Sequence, residues 1–99
     1  MGFTKQLVKF ASAEVPEAAA AMMRLSLFDW AACGIAGAQQ PDFIAFRRAQ
    51  MVEEGPAHVF GRDAAGAATA ALLNGTLSHA LDYDDTHFAH IGHPSVAVL

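Results

Sequence analysis

The sequence predicts an all-α chain of about five helices, the last one cut short. Three observations carry that expectation. Alanine supplies 22 of the 99 residues, hydrophobic residues make up 54% and charged ones only 16%, against roughly 45–50% and 25% in ordinary globular chains. An excess of alanine favours closely packed helices over sheets. Proline and glycine fall where helices start and stop, and the apolar residues between them recur with helical spacing.

The elements follow in order. Thr4 can cap a short first helix running to about Ala13, with Leu7, Phe10 and Ala11 on one side. Pro16 and Glu17 suit the first turn of a second helix, the acid facing the positive helix end. With few strongly polar side chains before Gly37, this helix reads as buried and central. Pro41 and Asp42 start a third helix, PDFIAFRRAQMVEE, with Phe43, Ile44, Phe46 and Met51 as its apolar side. Ala57 to Phe60 is short and extended at best. Asp63 caps a fourth helix from about Ala64 into an aspartate-rich segment. Asn74-Gly75 would signal a hairpin between alternating strands, but Leu73, Leu77 and Leu81 repeat every four residues, so the helix reads through it. Pro94 opens a fifth helix in which the chain ends, and a chain ending inside an apolar helical turn is expected to be part of a longer protein.

Charge and composition exclude several functions. A net charge of −4 with six Lys+Arg gives no basic footprint for nucleic acid. The lone Cys33 forms no internal disulfide, so a reducing cytoplasm is expected. No signal peptide is visible in MGFTKQLVKF. The most apolar stretch, Ala18 to Ala38, carries Arg24, Ser26 and Asp29, which argues against a membrane span. So apolar a chain of this size is expected to have partners covering it, in the first place further copies of itself.

The chemistry concentrates in TLSHALDYDDTHFAHIGHP, with four of the five histidines and three aspartates. On a helix His79, Asp82 and Thr86 would share one face. Asn74, Ser78, Asp82 and Asp85 would form an adjoining polar stripe, and the leucines would pack inward. Such a helix suits the wall of a cleft, although a solvated polar face gives the same pattern. His93 precedes Pro94 and is therefore turned out of helical conformation, at the N-cap of the fifth helix. A positive helix end favours a neutral, proton-accepting ring, and its free N–H groups can hold a carboxylate. A plain capping role is the alternative.

Other chemistries fit less well. His87, His90 and His93, joined by Asp82, Asp84 and Asp85, could ligate a metal, but the spacing matches no strong metal signature. Asp82-Tyr83-Asp84-Asp85 matches the D-x-D-D string of terpene cyclases, without support around it. Cys33 lies beside Trp30 and Gly34 with no histidine near in sequence and reads as packing. Gly34 and Gly37 read as close helix contacts, and Asp29 needs a partner that the sequence does not name.

With these residues in view, ALLNGTLSHALDYDDTHFAHIGHPSVAVL resembles the signature A-x-x-N-G-x-x-x-H-x-x-D-[FY]-D-D-T…H-P-[ST] of the MmgE/PrpD family. LFDWAACGIAGA and HVFGRDAAGAATAALLNG are similar to the family's preceding segments, so the resemblance covers nearly all 99 residues. It implies that residues 1–99 are the N-terminal segment of a large helical domain, with the rest of that domain and an α+β lid absent. It further implies a cytoplasmic, homodimeric, metal-free and cofactor-free lyase of the 2-methylcitrate dehydratase kind, active on a small polycarboxylate, as in propionate catabolism. Epimerases of iminodisuccinate and decarboxylases of cis-aconitate belong to the same family. By resemblance the site residues are Asp82, Thr86 and His93, with Asp82 and Thr86 also touching substrate. The Thr86–His93 interval is one residue longer than in several members. The family's further lysine and histidine lie downstream, so this segment by itself is expected to be inactive. A non-catalytic, oligomerising helical protein is the reading from another class.

Overall fold

The computed structural model describes residues 2–50, 53–61, 63–89 and 91–98. Five helices and one small hairpin occur among them: α1 (Phe3–Ala11), α2 (Glu17–Gly37), α3 (Pro41–Gln50), β1 (Ala57–Val59), β2 (Asp63–Ala65), α4 (Ala67–His79) and α5 (Ser95–Val98). The chain is mostly helical, as its alanine content requires. The hairpin was not anticipated at Asp63, which does not cap α4 but pairs with Val59, while Ala57 pairs with Ala65. Gly61 supplies the turn with φ of 98°, a conformation that costs glycine nothing. Gly66, not Asp63, stands at the N-cap of α4.

The other helix ends also depart from expectation in particular ways. Gly2 rather than Thr4 occupies the N-cap of α1, which ends at Ala11 where Ser12 turns back onto the Val8 carbonyl. Pro16 is the N-cap of α2 and Glu17 its first residue. The described part of α3 ends at Gln50; Met51 lies outside the described residues, and Glu53 and Glu54 are not helical. α4 passes through Gly75 as a helix, but it stops at His79 instead of entering the aspartates.

The core lies where α4 meets α2 and the hairpin. Leu73 and Leu77 are fully buried, with Ala70, Ala38, Val59 and Ala65 around them. Phe43 and Phe46 of α3 and Phe60 of the hairpin close its edge. Asn74 holds hairpin to helix: its Nδ2 donates to the His58 carbonyl, and its Oδ1 accepts the Phe60 N–H, both at 3.0 Å. Arg47 binds the same turn from α3, through Phe60 O at 3.1 Å and Asp63 at 2.9 Å.

The expectation of a buried α2 is corrected. Only Cys33, Gly34 and Gly37 are buried along it, and Met22, Leu25, Phe28 and Ile35 are exposed. The helix is apolar on every side, but α4 covers one side near its C-terminus only. α2 is long and apolar enough to cross a membrane by length and composition, and it is the one such helix among the described residues. α1 has no buried residue, with Phe3 and Phe10 both largely exposed. The radius of gyration, 16.0 Å, exceeds the ~13 Å of a compact domain of about 100 residues, in keeping with these uncovered faces.

Gly37 sets how closely α2 approaches the helix that carries His79. A Cβ there would collide with the Leu77 carbonyl oxygen, which is backbone and cannot swing aside. Gly37→Ala is therefore expected to destabilise the fold by about 1–3 kcal/mol through overpacking. Thermal unfolding with no measurable loss would show that α2 and α4 can separate freely.

Candidate active site

The end of α4 and the loop behind it build the site. Leu77 and Ser78 are buried, which fixes the last turn and leaves His79 at its rim. The chain then reverses at Asp82, whose N–H donates to the His79 carbonyl at 3.1 Å with φ of 57°. Aspartate is among the few non-glycine residues that adopt this left-handed conformation with some frequency. That reversal breaks the continuous helical face expected for His79, Asp82 and Thr86. It nevertheless brings the Asp82 carboxylate back beside His79, at 4.0 Å from Nε2.

Asp84 is the centre of the arrangement. Its side chain is completely buried and accepts a hydrogen bond from His79 Nδ1, at 3.0 and 3.2 Å to its two oxygens. His93 Nδ1 lies 3.0 Å from the Asp84 carbonyl oxygen and 3.4 Å from a carboxylate oxygen. A carbonyl only accepts, so this nitrogen of His93 carries its hydrogen. His93 Nε2 then faces Asp82 Oδ1 at 3.2 Å. The two imidazoles meet edge to face, with centroids 4.5 Å apart. His93 is thus held between a buried and an exposed aspartate and is about 20% exposed itself.

His93 does not cap α5. Asp85 does so from a distance, accepting from Ser95 N–H at 3.1 Å and Ser95 Oγ at 2.7 Å, while Ser26 Oγ of α2 lies at 3.4 Å. This clip ties α2, the loop and α5 together and sets the position of Pro94 and His93. Thr86 makes none of these contacts. It lies in the wall of a separate cavity of about 320 Å³ with Met22, Met23, His87 and Pro94. A larger cavity of about 600 Å³, lined by Phe43, Leu72, Thr76 and Val96, opens beside His79. Of the three expected site residues, the fold joins His93 with Asp82 and sets Thr86 apart.

Of the other described histidines, His58 lies on β1 and His87 takes no part in this cluster. The His87 ring accepts the Ala89 N–H at 3.2 Å and stacks on Phe88. His90 lies outside the described residues. In the sequence Asp84 and Asp85 have no role at this site beyond membership of the D-Y-D-D string, possible metal ligation and, for Asp85, a polar stripe. Their signal is the D-Y-D-D string following a helix end, from which Asp84 turns to the imidazoles and Asp85 to Ser95. Asp29, which needed a partner, keeps a buried oxygen with no hydrogen bond among the described residues, as does Trp30 Nε1.

Burial pushes the Cys33 thiol up from its ordinary range, and the charges of Asp29, Asp84 and Asp85 push it in the same direction. The thiolate is the reactive form, so a raised value means that the thiol stays protonated at neutral pH. Iodoacetamide is expected to alkylate Cys33 slowly in the folded protein and rapidly after denaturation. Equal rates in both states would contradict its burial.

The family model described as the MmgE/PrpD N-terminal domain matches residues 3–99. Neither the curated proteins nor the solved structures gave a significant match.

Proposed function

Because the chain belongs to the MmgE/PrpD family, whose members are lyases or related enzymes, we propose that it serves a 2-methylcitrate dehydratase-like elimination of water from a small polycarboxylate. The observation that carries this reading is the His93 Nε2–Asp82 contact at 3.2 Å, backed by the Nδ1 bond to Asp84. Elimination needs a base to take a proton beside a carboxylate and an acid to help hydroxide leave. In this reading His93 moves one of those protons, its ring fixed by Asp84. Asp82 orients the ring or binds the substrate hydroxyl, and Thr86 hydrogen-bonds a carboxylate from the neighbouring cavity. The paired arginines do not serve this site: Arg24 is on Glu17 and Arg47 on Asp63. Neither of these two cations is therefore free to neutralise the polycarboxylate. Proton abstraction next to a carboxylate is also the first need of an epimerase, and the decarboxylase reading shares the same acid–base pair.

The test is turnover of 2-methylcitrate by the intact protein, followed through the new carbon–carbon double bond. Acid–base chemistry by side chains needs no metal, so exhaustive chelation is expected to leave the rate unreduced. A rate lost on chelation and restored by one divalent ion would overturn this mechanism.

A further inference from the structure

Hydrogen-bond accounting at the imidazole pair leaves acceptors converging on one point. The Asp84 carboxylate and carbonyl accept only, so each ring commits its Nδ1 hydrogen to Asp84. A neutral ring then keeps its lone pair on Nε2. Those two Nε2 atoms lie 3.2 Å (His93) and 4.0 Å (His79) from the same oxygen of Asp82. Two lone pairs that share one carboxylate oxygen leave a set of acceptors open to water, a proton or a cation.

The two separations to Asp82 also come near those of a metal site. Tetrahedral zinc, with bonds of about 2.0–2.2 Å, holds its donors about 3.3–3.5 Å apart. The His93–Asp82 separation of 3.2 Å is close to that, and His79 must close on Asp82 by roughly half an ångström. Both His79 and Asp82 can move, since their side chains are 45% and 79% exposed. Their exposure also leaves a side open for a water ligand. Behind the rings, Asp84 occupies the place of the carboxylate that usually orients a metal-binding histidine through its other nitrogen. Imidazole donors favour zinc and copper over magnesium and calcium.

We propose that His79 Nε2, His93 Nε2 and Asp82 form a binding site for one zinc ion, with Asp84 orienting both rings, and that zinc bound there inhibits the enzyme. The ion takes the nitrogen that would otherwise carry the proton. The inhibition rests on the proton-transfer reading of His93; the binding does not.

The test titrates Zn²⁺ into the intact protein against a chromophoric chelator and measures turnover in parallel. One zinc per chain is expected, bound more weakly in Asp82→Asn and in His79→Gln by at least the ~10–100-fold that loss of a mere outer-shell partner costs. Asparagine tolerates the left-handed backbone at Asp82, so loss of binding there is not loss of the turn. His58→Gln, on the hairpin, should bind zinc as the wild type does. Long-range ¹H–¹⁵N spectra should show both Nε2 signals shifting, and inhibition should follow occupancy and reverse with chelator. No saturable binding, or binding indifferent to both variants, would overturn the site. Metal on the Nδ1 atoms with Asp84, whose donors lie within 4.8 Å of one another, would overturn the assigned face. Zinc bound as described to an enzyme still working at full rate would overturn the inhibition and, with it, the proton-transfer role of His93.

Discussion

Replacing His93 with glutamine is expected to lower kcat by ~10²–10⁴, the loss that follows removal of a general acid or base. The fold should survive, because glutamine can still donate to the Asp84 carbonyl, and one altered hydrogen bond costs about 0.5–1.5 kcal/mol. Asp82→Asn removes charge while keeping shape and backbone, so it separates orientation of the ring from proton transfer. His87→Gln is the control. His87 lies in the same loop, but it only accepts the Ala89 N–H and stacks on Phe88, so its loss should be mild. Thermal unfolding of all three variants keeps a stability loss from being mistaken for lost chemistry. Near-normal kcat in His93→Gln with loss in His87→Gln would move the assignment to His87.

Asp84→Ala is expected to lower both stability and rate. It leaves His79 Nδ1 without its carboxylate acceptor, at a cost of about 1–3 kcal/mol, while His93 Nδ1 keeps the backbone carbonyl of residue 84. The partly exposed His79 ring can recover some of this through water. Asp84 touches no substrate in this account; it positions His79 and His93. A ring displaced by about 1 Å is enough to cost ~10² in kcat. The conservative Asp84→Asn should keep more stability than alanine, yet still fall short in kcat, because an amide cannot accept from His79 with both oxygens. A fall in stability with kcat and KM unchanged would make Asp84 purely structural.

Much of the helical frame was legible from proline, glycine and leucine spacing: α2, α3 and the passage of α4 through Gly75 follow from it. Two features were not. The hairpin depends on Val59–Asp63 pairing across Gly61, and a three-residue strand is too short for alternation to reveal. The end of α4 at His79 depends on Asp82 adopting a left-handed turn, which helical periodicity carries straight past. The site was half legible for the same reason. The motif pointed to Asp82 and His93, and the fold brings them together by a turn rather than along a helix face. Asp84 and Asp85 were hidden because burial decides their roles, and an aspartate string looks equally solvated from end to end. The buried reading of α2 failed because apolar composition shows that a helix seeks cover, not where that cover lies.

The central claim is that His93 carries a proton in the reaction, and imidazole rescue tests it most directly. His93→Ala opens a gap beside Asp82 and Asp84 that free imidazole can enter, since the native ring is already partly exposed. The account predicts that added imidazole restores a saturable part of the turnover in His93→Ala and adds nothing to the wild type or to His87→Ala. A His93→Ala enzyme that works at nearly the normal rate without imidazole would contradict it.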